Sequence, residues 1–445
     1  MPLTNTTKAV GLGALCAAVL TGVLGYQLSN SKITTEVGAT TNTPALSSEL
    51  IADVKTNNPI GNRTDYDFFS WASFVALNWP PGPNGEPDPN KTIGEDGDNE
   101  TVWGNWMEDF QFLVKAGDTP PIWGGPRTIP SACTQIGGTF TPRKILSHAT
   151  KSDGVVGSFN QAQAGPLIDL NTNYVRYEIL FNKPMYDYMV DNKLYDINVL
   201  KNFGKVSFPE GSLDTGTIGA IMVKAAWKII GNGDDASSFH TTKSYIYNET
   251  NQTCSIEDIG LVGLHISTKT KSAPQWIWST FEHKDNVPEP HEISAKKHFS
   301  FFDPNCSAKA SQEDCKPNLL PQTPWDPTRP NQIPVQATRI IPIDPNTKSM
   351  SSDFQTALKS VNQNSVWANY ILVGTQYPQV PGDATDDTGQ PFPEFLANAT
   401  METFLQGQTP PVSSNCIGCH LRATTSVSSE STDFAYILSR VPLKD

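Results

Sequence analysis

The stretch TDYDFFSWASFVALNWPP, residues 64–81, sets Phe68, Trp71, Ala72 and Val75 at helical spacing. Thr64 or Asp65 is a suitable N-cap, and Pro80 with Pro81 ends the helix. A turn-rich acidic loop follows, and VWGNWMEDFQFLVKAG (102–117) predicts a second, short helix. Residues 120–165 read as loop. TNYVRYEILFNKPMYDYMVDNKLYD (172–196) has a helical pattern interrupted near Pro184. Five stretches then carry β-branched runs or period-two alternation between turns: GKVSFPEG, TGTIGAIMVKAAWKII, TTKSYIYNE, IEDIGLVGLHISTKT and PQWIWSTFEH. A proline-rich loop spans 302–347. DFQTALKSVNQNSVWANYILVG (353–374) begins as a helix and ends as a strand, while ATMETFLQG and STDFAYILSRV read as short helices. No internal repeat is present. The pattern predicts an α+β fold: a central antiparallel sheet with flanking helices and long Pro-rich loops, onto which the C-terminal segment packs.

The organisation follows from changes in composition. After Lys8 an apolar run of 18 residues, Ala9 to Tyr26, reads as a signal peptide or a signal anchor, so residues 1–26 form an export segment. Residues 27–60, rich in Ser, Thr and Asn, read as a flexible tether. Residues 61–395 form the α+β domain and 396–445 a C-terminal segment of separate character. At 445 residues, 38% hydrophobic and 17% charged, the chain has ample material for a packed core. A net charge of −13 with no basic run excludes nucleic acid as a partner. Cys16 lies inside the apolar run behind Leu15, where lipid attachment expects a small residue. The membrane is therefore expected only as a site of N-terminal anchoring.

Export changes the reading of the cysteines, because thiols pair in oxidising compartments. Beyond Cys16 there are six. Cys306 and Cys315 form the natural local pair, and Cys133 with Cys254 a long-range one. That leaves Cys416 and Cys419.

These two belong to Cys416-Ile417-Gly418-Cys419-His420, a Cys-x-x-Cys-His run. Two thiols at this spacing can each add to a vinyl group along one porphyrin edge, and the adjacent imidazole then reaches the iron. One covalent haem c, with His420 as proximal ligand, is the expected cofactor. Zinc would require two further ligands close by, and no such pair is evident. Only 25 residues follow His420, with neither Met nor His among them. A small cytochrome domain that carries its motif early cannot follow, and the prolines upstream preclude a long-helix bundle. The haem is therefore expected to pack against the large domain, and any second axial ligand must precede residue 416.

The candidates are His148, His240, His265, His283, His291 and His298, together with the methionines at Met107, Met185, Met189, Met222, Met350 and Met401. His283 ranks first: Trp276, Trp278 and Phe281 surround it in sequence, and Glu282 and Asp285 stand close enough to orient a ring nitrogen. His265 in LVGLHIS reads as a sheet residue, and Met401 as a residue that can fold back over the haem or serve the core. An iron with no second protein ligand would be open to peroxide or oxygen chemistry.

Several segments together resemble a group of bacterial cytochrome c family proteins: SWASFVALNWP, GAIMVKAAWKII, GLVGLHISTKT with WIWSTFEHKDNVP, NYILVGTQYP, and LANATMETF with CIGCH. The resemblance implies an exported covalent-haem protein with a large domain, and Cys416, Cys419 and His420 as its functional residues. The expected role is electron transfer with a redox partner protein in the periplasm. The alternative is a haem-dependent oxidoreductase acting on a small-molecule substrate.

Overall fold

The computed structural model describes residues 43–56, 62–94, 100–136, 144–147, 165–248, 252–289, 292, 298–306, 311–321, 333–406 and 414–441. The apolar run Ala9–Tyr26, the first part of the tether, His148 and His291 lie outside the described residues. From Asn42 onward the chain forms one compact unit.

Among the described residues nine strands form the centre: β1 (Met107–Glu108), β2 (Lys144–Ser147), β3 (Arg176–Phe181), β4 (Ile221–Ile229), β5 (Thr241–Asn248), β6 (Thr253–Thr268), β7 (Ile277–His283), β8 (Tyr370–Pro378) and β9 (Pro391–Phe392). Their order is β1-β3-β4-β6-β7-β8-β9, antiparallel throughout. The long β6 pairs first with β5 (Thr253 to Gly260) and then with β7 (Gly263 to Thr268). β2 adds to β5 as the parallel pair. Among the described residues there are seven helices: α1 (Arg63–Leu77), α2 (Asp109–Phe112), α3 (Ser131–Thr134), α4 (Lys183–Asp191), α5 (Ile197–Leu200), α6 (Pro345–Val361) and α7 (Cys416–His420). The fold is α+β.

Strand alternation divides the sheet into two buried faces. On the first, Leu180, Val223, Leu264, Ile266, Phe281 and Leu372 meet α1 and α6 through Trp71, Phe74, Phe354 and Leu358. Ring contacts run across this layer, Phe74 on Phe281 at 4.3 Å and Trp71 on Phe354 at 5.1 Å. On the second face, Phe181, Met222 and Trp278 pack with Met185 of α4 and with Ile417, Phe434 and Leu438 of the C-terminal segment. That segment therefore shares a core with the sheet.

Local physics explains where the elements depart from the sequence reading. The α1 cap is Asn62, whose side chain accepts from the Asp65 amide, ahead of Thr64 and Asp65 themselves. The helix expected over 172–196 is a strand followed by a helix. The residues of β3 are covered on both sides, which removes the alternation that marks a half-exposed strand. Pro184 occupies the first turn of α4, where its missing N–H costs nothing, and Asn182 caps it. The stretch 204–211 forms no strand, since Pro209 interrupts it and the Val206 amide goes to Ser431 instead. The stretch 102–117 forms a 3₁₀ turn, β1 and the one-turn α2 in place of one helix. ATMETFLQG forms turns around Asn398, and STDFAYILSRV ends in a 3₁₀ turn at Tyr436–Arg440.

Cys133 pairs with Cys254 and Cys306 with Cys315. Two disulfides indicate an oxidising, exported environment. No described helix is long and apolar enough to cross a membrane.

Candidate functional site

Cys416, Ile417, Gly418, Cys419 and His420 form the one-turn helix α7. Asn415 caps it, its side chain accepting from the Gly418 amide at 2.8 Å. A side chain at 418 would approach that cap to 3.2 Å, so the glycine lets Asn415 close over the turn. Ile417 is fully buried, and its amide donates to Gln376 of β8 at 2.9 Å. Ser414, just upstream, accepts from the Leu396 amide. The turn is thus fastened to the sheet on its buried side. Cys416 is half-buried and Cys419 exposed; both are free thiols, unlike the other four described cysteines. Burial pushes the Cys416 thiol up, with the Glu402 charge adding, so it is held protonated.

The chain after α7 returns to hold His420. Its Nδ1 donates to the Phe434 carbonyl at 2.7 Å, which leaves Nε2 as the nitrogen with a lone pair. Asp433 and Phe434 both adopt left-handed backbone, φ 51° and 65°. Each such residue costs about 1–3 kcal/mol and persists only under constraint. The constraint here is the Asp433 carboxylate, which accepts from the Phe208 amide at 2.8 Å and from Lys269 Nζ at 2.7 Å. The His420 ring lies 4.2 Å from Trp278 and 5.2 Å from Tyr436, whose hydroxyl donates to the Cys419 carbonyl. Burial lowers the imidazole to about 4, so at neutral pH it is the unprotonated form that a metal takes.

Beside the motif, the second sheet face carries polar groups where apolar ones would be expected. Lys224 of β4 and His265 of β6 are directly paired across the strands. Both are half-buried, and Glu402 stands 3.3 Å from His265 Nε2. Burial pushes the Glu402 carboxyl up, but His265, Lys224 and the Asn398 amide together bring it below its ordinary value. Burial pushes the Lys224 amine down. These three groups also shape the electrostatics of His420 and, through Glu402, of Cys416.

The structure does not bring His283 to the motif, which corrects the first choice of second ligand. His283 follows Trp278 by an odd number of residues along β7, so it points to the opposite face. It is fully buried and stacked 4.1 Å from Phe239. Its Nε2 is 2.9 Å from the Ser238 carbonyl, and Nδ1 accepts from the Asp285 amide. Both nitrogens are spent on the fold. Met401 is fully buried among Tyr177, Ala226 and Val262. His240 stacks on Trp367 beneath the first face, and His298 lies near Asp234. Of the candidate histidines among the described residues, His265 is the one that shares a face with Trp278 and Lys224.

Haem fits the residues present. Two unpaired thiols stand one helical turn apart, an imidazole offers an uncommitted nitrogen, and a half-open polar floor lies alongside. Among the described residues no group of three or more His, Cys, Asp or Glu is disposed to hold a metal ion by itself. Small clefts lined by His240 and Trp367 and by Glu108 and Arg127 lie elsewhere. Sequence reasoning missed Lys224, Glu402, Asn415 and the Phe434 carbonyl. Lys224 did leave a signal, a lone charge inside the apolar run IMVKAAW.

No family model, curated protein or solved structure shows a significant match to the chain.

Proposed function

We propose that the chain is an exported c-type cytochrome that exchanges electrons with a redox partner protein in the periplasm. One haem is bonded through Cys416 and Cys419, with His420 as its iron ligand. The observation that carries this reading is the state of the motif: Nδ1 of His420 is committed to the Phe434 carbonyl, Nε2 is free, and the two neighbouring thiols are unpaired in a chain whose other described cysteines are bonded. The haem, when bound, supplies a one-electron iron couple. The residues of the chain orient it. The Phe434 carbonyl makes His420 a stronger donor, and the left-handed turn at Asp433 and Phe434 keeps that carbonyl in place. Exposed Cys419 puts one attachment point at the surface, where a partner can approach.

The export expected from the apolar run Ala9–Tyr26 and the two disulfides agree with this role. With a net charge of −13, the partner is expected to present a basic docking face, and the exchange rate to fall as salt rises. A second reading, a haem oxidoreductase acting on a small molecule, is favoured by the polar floor of Lys224, His265 and Glu402.

The test is haem staining after denaturing electrophoresis, with a pyridine haemochrome spectrum, after expression alongside a haem-attachment system. Covalent haem is expected in the wild type and lost in the Cys416→Ser, Cys419→Ser double variant. Wild-type protein without it, or a double variant that keeps it, refutes the reading.

A further inference from the structure

We infer that His265, held by Glu402, is the second protein ligand to the iron, which makes the site six-coordinate and closed to small molecules. This rests on the haem reading above and deepens it.

The two histidines each present one ring nitrogen to a protein oxygen. His420 has Nδ1 committed to the Phe434 carbonyl. His265 has Nε2 facing Glu402 Oε1 at 3.3 Å, fully covered from solvent though off the line of a good hydrogen bond. Each ring thus turns one nitrogen towards a protein oxygen, through a hydrogen bond in His420 and a contact within ion-pair reach in His265. Ligating histidines characteristically donate their second N–H to a carboxylate or carbonyl, which fixes the tautomer and strengthens the donor.

Register places His265 on the same face as Trp278, the ring that His420 contacts. Trp278, whose ring contacts His420, pairs with Ser267. His265 is two residues from Ser267 on the same face, so its Cα stands about 8 Å from that of Trp278 by strand geometry. Met222 shares this face and packs with Trp278 and Ile417, so its thioether is the competing ligand that the spectrum separates from an imidazole. The remaining candidates are turned away. The Lys224 ammonium lies 5.0 Å from the Tyr177 ring, at the register of Ala226 and away from the Trp278 end. Met401 is packed at that same far end, its methyl close to Gly263. His283 is on the opposite face with both nitrogens bonded. His265 also lies on a strand interior, paired with Lys224 on one side and Thr280 on the other. Such a position holds a ligand rigidly, as low-spin electron-transfer iron requires.

The experiment uses the full-length holoprotein. Resonance Raman and near-infrared magnetic circular dichroism of the wild type are expected to report low-spin iron with two imidazole ligands. His265→Ala is expected to turn the iron high-spin, to increase carbon monoxide affinity by more than about tenfold because the internal competitor is gone, and to return to low spin on addition of imidazole. A wild type that is high-spin, or that shows an imidazole–thioether or imidazole–amine signature, overturns the inference. So does a His265→Ala variant that stays low-spin. The wild-type spectrum decides the question even if the variant fails to fold. Wild-type protein with no covalent haem overturns the cytochrome reading itself, a different outcome read from the haem stain.

Discussion

The two faces of the sheet are made from alternate residues of the same strands, yet they treat charge in opposite ways. Beneath α1, Asp67 is 1% exposed and hydrogen-bonded by Thr347 and Thr375. Burial pushes its carboxyl up to about 6, and those hydroxyls with Arg63 only partly oppose the shift. On the other face Glu402 also meets a desolvation penalty, but His265 and Lys224 outweigh it and its carboxyl falls below the ordinary value. The same cost is thus borne by protonation on one side and by neighbouring polar groups on the other. The first face is a closed aromatic layer. The second keeps charges half-open beside Cys416 and His420, as a surface prepared for another group would.

The strongest way to break this comparison is to remove a ring from the closed face. Phe281→Ala empties the centre of the aromatic layer and is expected to cost about 3–5 kcal/mol, measured by urea unfolding. Folded variant protein should keep its haem spectrum, and a changed spectrum would show that the faces are not independent. Next comes pH. The folded pKa of Asp67, about 6, is above its unpaired value of 3.8. Its contribution to stability is therefore full below pH 4 and lost as pH rises through 6, about 3 kcal/mol in all. Asp67→Asn should gain on the wild type between pH 4 and 7.5, and parallel unfolding profiles would contradict the assignment.

His283→Ala sharpens the comparison further. It removes the ring nitrogens that meet the Ser238 carbonyl, to which Asn369 also donates, and the Asp285 amide, at about 1–2 kcal/mol, and should leave the iron spin state untouched. A spin change on that substitution would return His283 to the site. The smallest effect is expected at the cap. Asn415→Ala should loosen α7 by about 1 kcal/mol, read as faster exchange of the Gly418 amide, and unchanged exchange would mean that the cap does not hold the turn.

The strands around the site were legible because β4 to β8 carry β-branched runs bounded by turns, and α6 followed by β8 because the pattern changes period between them. β3 was not, since both of its faces are covered and no alternation survives. Both disulfides could be anticipated by elimination once the Cys-x-x-Cys-His run was set apart. Within the site, the motif was plain and its surroundings were not. His283 drew notice for its aromatic neighbours, but Trp278 lies an odd number of residues away along the strand and so faces the opposite way. Glu402 carries no local mark in ATMETF, because what gives it meaning is a histidine on a distant strand.

The sequence by itself determined the groups capable of chemistry: two thiols and an imidazole at a spacing set by covalent geometry, and four further cysteines to pair in an oxidising compartment. Tertiary structure alone decided which side chains meet them. Ile417 reaches Gln376 of β8, Asp433 reaches Lys269 beyond the end of β6, and His265 meets Glu402. Those meetings depend on which face of which strand the returning chain covers. Strand parity and sheet register set that choice, and both become defined only once the strands have paired.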